Sequence, residues 1–166
     1  MSGSPDTADK ISALGYGPEA RQWWLAVMAK ATLPELEQAW TEVPDKPDFR
    51  VLRAPEIGLA MVRGRIGGTG APFNMGEMTM TRAAVQMLDA SGTACFTGFG
   101  YIAGRSARHA ELVAIFDALL QDPRHRQPVL RGLIVPLAER HEAGRAHKAA
   151  KAQASKVEFF TLVRGE

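Results

Sequence analysis

The sequence predicts an α+β fold: an N-terminal helical hairpin, an antiparallel sheet of about four strands, two further helices packed on the sheet, and a C-terminal extended segment. Three observations lead there. Apolar residues recur at helical spacing between Gly17 and Val43. From Phe49 to Ala103 the chain changes to β-prone runs joined by short connections. After Gly104 it returns to helical periodicity.

Residues 1–16 are polar and aperiodic and read as a flexible extension, which leaves 17–166 as one domain. Pro18 suits the first helical position and Glu19 the positive end of the helix dipole, while Trp24, Val27, Met28 and Ala31 share one face. "TLPE" closes this helix and opens the next, with Thr32 and Glu35 as a capping box and Leu36, Ala39, Trp40 and Val43 as the apolar stripe. The tryptophans are read as packing residues. "PDKPD" then marks a loop.

Phe49–Ala54, Ile57–Ile66, Glu77–Leu88 and Thr93–Ala103 read as a meander, because Pro-Glu, the glycine-rich loop and "DASG" are short enough for hairpins. Gly98, Gly100 and Gly104 suit tight packing of a helix on the sheet. Ser106 caps the following helix, which buries Leu112, Ile115, Phe116, Leu119 and Leu120, and "DPRHRQP" ends it. Another helix is expected from about Leu137 to Ser155, and "VEFFTLVRG" reads as a strand or an extended docking segment.

With 166 residues, of which 46% are hydrophobic and 23% charged, the chain is long enough for a real core. Its net charge of +2, from 20 basic and 18 acidic residues, is too balanced to announce a nucleic-acid or membrane partner. No signal-like or membrane-spanning segment stands out, and the lone Cys95 reads as a core thiol at home in a reducing compartment. The expectation is a soluble, cytoplasmic protein.

The run Gly67-Gly68-Thr69-Gly70 poses the sharpest chemical question. A phosphate cradle needs a helix leading out, yet Glu77 to Leu88 alternates like a strand, and neither a Gly-Lys-Ser/Thr ending nor a G-x-G-x-x-G frame is present. Anion contact is nevertheless open to Arg63, Arg65, Gly67, Gly68, Gly70, Arg82, Arg105 and His109. Arg82 interrupts an otherwise apolar strand face and needs a carboxylate, a phosphate or a subunit surface. His109 lies in the first turn of its helix, where a buried, hydrogen-bonded ring is the plainer alternative. No histidine pair has metal-ligand spacing, so no metal is expected. A catalytic residue cannot be named.

A narrow stripe of Ala143, Ala146 and Ala150 on the last helix, followed by Phe159, Phe160 and Leu162, suits a subunit interface equally well as a solvated face.

Several blocks resemble the G subunit of the bacterial carbon-phosphorus lyase core complex. They are "ARQWWLAVMAKA", "RAPEIGLAMVRGRIGGTGAPFNMGEMTMTRAAV", "GYIAGRSARHAELVAIFDALLQ" and "VEFFTLVRG". They occur in order from about Ala20 to Gly165. The resemblance implies an accessory or assembly subunit that works with H, I and J subunits and an ABC-type L subunit in phosphonate catabolism. It supports the step in which a phosphonate displaces adenine from ATP to give a ribose 1-phosphonate 5-triphosphate. ATP, with magnesium, and an alkylphosphonate would be substrates of the complex, with no cofactor bound by this chain alone. Because no convergent acid/base pair is visible, the isolated chain is expected to be inactive. Two alternatives stay open: a direct contribution to a nucleotide or phosphonate site at a subunit boundary, and a free-standing binder of an anionic metabolite.

Overall fold

A computed structural model describes residues 17–154. The expected N-terminal extension and the C-terminal strand, with Phe159, Phe160 and Leu162, lie outside the described residues. Helices α1 (Pro18–Met28) and α2 (Leu33–Glu42) lead into three strands, β1 (Phe49–Arg65), β2 (Pro72–Leu88) and β3 (Ala94–Ala103). Helices α3 (Ala107–Gln121), α4 (Pro123–Val129) and α5 (Val135–Ala154) follow, the last two joined by a π-helical turn, Leu130–Ile134. The α+β class and the N-terminal hairpin are as the sequence predicts.

The sheet is antiparallel in the order β1-β2-β3. The two runs expected before the glycine loop are one strand: Pro55 does not end it. A register shift between Arg53 and Glu56 spans Pro55, following another between Val51 and Arg53, and releases its missing N–H from the ladder. β1 is also an edge strand, where proline is tolerated.

Helix α3 is the centre of the core. Leu112, Val113, Ala114, Phe116, Leu119 and Leu120 are all buried, so the helix is enclosed on every side rather than along one stripe. The sheet covers one side, and α1, α2 and α4 pack on the rest. Its approach to β3 is set by glycine: a Cβ on Gly98 would lie 1.9 Å from the Ala114 carbonyl oxygen, and one on Gly100 1.9 Å from that of Ala110.

A carboxylate clamps the same layers together. Asp117 on α3 is fully buried and accepts from Arg21 Nε at 3.1 Å and Nη2 at 2.7 Å, from Trp24 Nε1 at 2.9 Å and from the Phe99 backbone N–H at 2.8 Å. One side chain thus ties α1, α3 and β3 to each other.

Local signals hold elsewhere. Ser106 caps α3 by accepting from the His109 N–H. Glu35 accepts from the backbone N–H and hydroxyl of Thr32, each at 2.7 Å, and pairs with Arg140 on α5. Burial pushes the Glu35 carboxyl up, but the Thr32 hydrogen bonds and Arg140 outweigh it and hold the group at about 2, against an ordinary 4.5. Because the folded value is depressed, the stabilisation is present above the unfolded value and fades as pH falls from about 4.5 to about 2. Glu35→Gln should therefore melt below wild type at neutral pH and converge with it across that window, read by circular dichroism. A gap that persists at the acid end would rule the linkage out.

The helical region after α3 departs from expectation. "DPRHRQP" ends α3 at Gln121 as expected, but Asp122 then caps a new helix at Pro123, and the path stays helical to Ala154. Pro136 has no N–H for the ladder, and just before it the bonding slips to i+5: the Val135 N–H reaches the Leu130 carbonyl.

Candidate functional site

Beyond the body, β1 and β2 continue as a two-stranded arm. The last β2–β3 pair is Met80 with Ala103, and Met80 also pairs with Gly58, so residues outward from Gly58 have no third strand. Ile57, Leu59 and Met61 oppose Thr81, Thr79 and Glu77 in the register and continue the face that α3 covers nearer β3. Here no helix covers it: Leu59 is 66% exposed, and Ile57 and Met61 are exposed too, while Met78 and Phe73, which oppose Ala60 and Gly64, are exposed on the other face. Strand alternation prepares an apolar face for burial, and among the described residues nothing buries it.

The tip closes on itself. Gly67 (φ 61°) and Gly68 (φ 79°) take the left-handed conformation, the Gly70 N–H reaches the Ile66 carbonyl at 3.0 Å, and Arg65 Nη1 donates to the Gly70 carbonyl at 3.0 Å. A strand, β2, leads out of the loop, as its alternation implies. Arg63 is exposed on the arm just before this tip.

Arg82 sits at the base of the arm on the open face of the sheet. Its Nε and Nη2 donate to Glu56 Oε2 at 3.2 and 3.0 Å, and Arg53 Nη1 reaches the same oxygen at 3.2 Å. A groove of about 250 Å³ surrounds the pair, between Leu59, Met80 and Tyr101. Both partners are half-exposed, a setting in which an ion pair contributes little, about 1 kcal/mol or less. Arg105 is exposed in the turn between β3 and α3 and has no ion-pair partner among the described residues.

His109 is buried, and its Nε2 donates to the Met28 carbonyl at 3.1 Å, linking the first turn of α3 to the end of α1. The eight residues open to anion contact therefore do not converge. From Glu56, the cross-strand partner of Arg82, to Arg65 the strand runs about 30 Å at roughly 3.4 Å per residue. His109 faces the core instead.

Cys95 is exposed near the start of β3, not in the core as expected, with Sγ 3.5 Å from the Thr93 carbonyl. Ala143, Ala146 and Ala150 lie on a stretch of α5 in which every residue from 143 to 154 is exposed. The functional weight thus falls on surfaces rather than on an enclosed constellation. No described helix is long and apolar enough to cross a membrane.

The family model described as "Phosphonate metabolism protein PhnG" matches residues 19–165. The chain belongs to the PhnG family. A relative from Rhizobium meliloti (strain 1021), described as alpha-D-ribose 1-methylphosphonate 5-triphosphate synthase subunit PhnG, is 43% identical over 150 residues, spanning 90% of this chain and 92% of that protein. The PhnG match includes the arm, its glycine tip and all of α3. The apolar character of the arm was present in the sequence, but its exposure was not: alternating Ile57, Leu59 and Met61 look the same whether or not a helix covers them.

Proposed function

We propose that this PhnG-family chain is an assembly subunit of a ribose 1-methylphosphonate 5-triphosphate synthase, and that the β1–β2 arm docks it onto the I subunit. The observation that carries this is the uncovered apolar face of the arm. A two-stranded ribbon alone is marginal in water and gains stability from a surface to pack on. The separation of Arg82 from the glycine tip also supports docking over an enclosed pocket.

In this reading the H and J subunits and the ABC-type L subunit complete the machinery in the cytoplasm, and ATP, with magnesium, and the alkylphosphonate are substrates of the assembly. The purified chain alone should release no adenine from ATP and methylphosphonate above a buffer control.

Leu59→Lys combined with Met61→Lys tests the arm. Both positions are exposed, and the lysine that replaces Met61 would oppose Glu77, so the fold should melt within about 0.5 kcal/mol of wild type. Co-purification with the I subunit should be lost. Retained co-purification would refute docking through the arm. Arg82→Ala separates the second reading: its accessible position in the groove beside Glu56 suits a substrate contact at a subunit boundary. Lost activity with assembly intact would favour that reading.

A further inference from the structure

On the side of the body where α2, α3 and α4 meet lies a cleft of about 350 Å³, the size of a small-molecule site. Phe116, Val129 and Leu133 give it apolar lining, and Val43 and Pro44 add to it from the segment after α2. Its charged residues are of both signs, with Arg124 on α4 and Glu42 and Asp45 around the end of α2. Asp45 holds φ at 44°, an uncommon conformation for a residue other than glycine. Gly132 and Leu133 of the π turn also line it, in a helical form that recurs at functional sites.

The polar group of the cleft is His125. Its Nδ1 lies 2.6 Å from Oδ2 of Asp122, whose side chain is only 4% exposed. Burial pushes the Asp122 carboxyl up, but hydrogen bonds from His125 and Arg124 outweigh this and hold it below the usual range. The carboxylate therefore accepts the Nδ1 proton and fixes the ring tautomer. Asp122 does not line the cleft and His125 does, which leaves Nε2 as the nitrogen offered to an occupant, with no hydrogen-bond partner among the described residues. In the neutral ring Nε2 is an acceptor.

We infer that this cleft binds an uncharged, largely apolar small molecule that donates one N–H or O–H hydrogen bond to His125 Nε2. Lining charges of both signs disfavour an anion or a cation in a space whose lining is mainly apolar. This orientation of an imidazole by a buried carboxylate is what a site needs to tell a donor from an isostere without one.

The test is a nuclear magnetic resonance titration of the full chain with indole and with benzofuran, which has nearly the same shape without the N–H. Both probes are titrated in the same buffer at the same pH, so the donor requirement is read directly. Indole should shift the Val43, Gly132 and Leu133 amides and the His125 Nε2 resonance, and benzofuran should bind about tenfold more weakly, the worth of one hydrogen bond. That comparison is made within the wild-type chain, so it stands even where a variant fails to fold. His125→Phe should make the two probes equal. A Cβ on Gly132 meets open space, so Gly132→Leu should fill the cleft, keep the fold and remove both. Equal binding of the two probes to wild type, binding of neither, or shifts confined to residues outside the cleft would overturn the inference.

Discussion

Asp117→Leu should lower the stability of the folded chain by about 3 kcal/mol or more. The leucine fits the space but accepts nothing, so the Trp24 indole N–H and the Phe99 backbone N–H are orphaned, and Arg21 loses its bidentate partner. Each buried donor left unsatisfied costs about 1–3 kcal/mol. Arg21 escapes part of the penalty because its side chain is 33% exposed and can turn to water. For a chain of this size the loss should appear as a fall in Tm of about 6–12 °C. Trp24→Phe, which removes one donor from the same carboxylate and also empties part of a buried ring's space, should cost about 1 kcal/mol or more. If Asp117→Leu melts within a degree of wild type, the carboxylate does not clamp these layers.

Gly100→Ala should be as damaging although it adds a single methyl group. The new Cβ would sit 1.9 Å from the Ala110 carbonyl oxygen and 3.1 Å from the Ala114 nitrogen, both backbone atoms of α3. No rotamer relieves a clash between Cβ and a helix backbone. Helix α3 must move off the sheet, opening the packing around Ile102 and Phe116, at a cost at or above the top of the overpacking range, about 3 kcal/mol. Gly58→Ala is the matched control: it is also a strand glycine, but its Cβ meets open space, and the change should stay within about 0.5 kcal/mol. Urea melts of the two variants should separate clearly. Equal midpoints would show that the helix has room to yield.

Signals confined to one or two turns were legible in the sequence. Thr32 with Glu35, Ser106 before α3, and Gly98 and Gly100 against a helix each act through neighbouring backbone or through one recognisable steric need. Proline was the weakest guide, because its effect depends on surroundings that the sequence does not display. Pro55 is harmless on an edge strand within a register shift, and Pro136 is absorbed by a π turn. Asp117 gave no local sign at all. It occupies a helix position between apolar neighbours, and Arg21 and Trp24 lie 96 and 93 residues away.

The candidate site divided along similar lines. The turn character of Gly67 to Gly70 and the buried alternative for His109 could be read, since both rest on nearby backbone. The distance between Arg82 and the glycine tip could not, because it depends on β1 and β2 running as an unbroken pair far past β3. His125 was passed over for a different reason. With no histidine partner at ligand spacing it looked inert, and its character comes from Asp122, three residues earlier, and from a cleft assembled by distant segments.

The central place of α3 also shapes the order in which the chain acquires structure during synthesis. The inner faces of β2 and β3, and much of the apolar surface of α1, are buried against a helix that follows all of them in sequence. A nascent chain ending at Ala103 holds both hairpins of the sheet but nothing to cover them. It is an exposed β-prone polypeptide, the kind of intermediate most open to misassociation. Collapse waits on translation of Ala107 to Gln121, so pausing upstream of that helix prolongs the hazard, while fast passage through its codons shortens it.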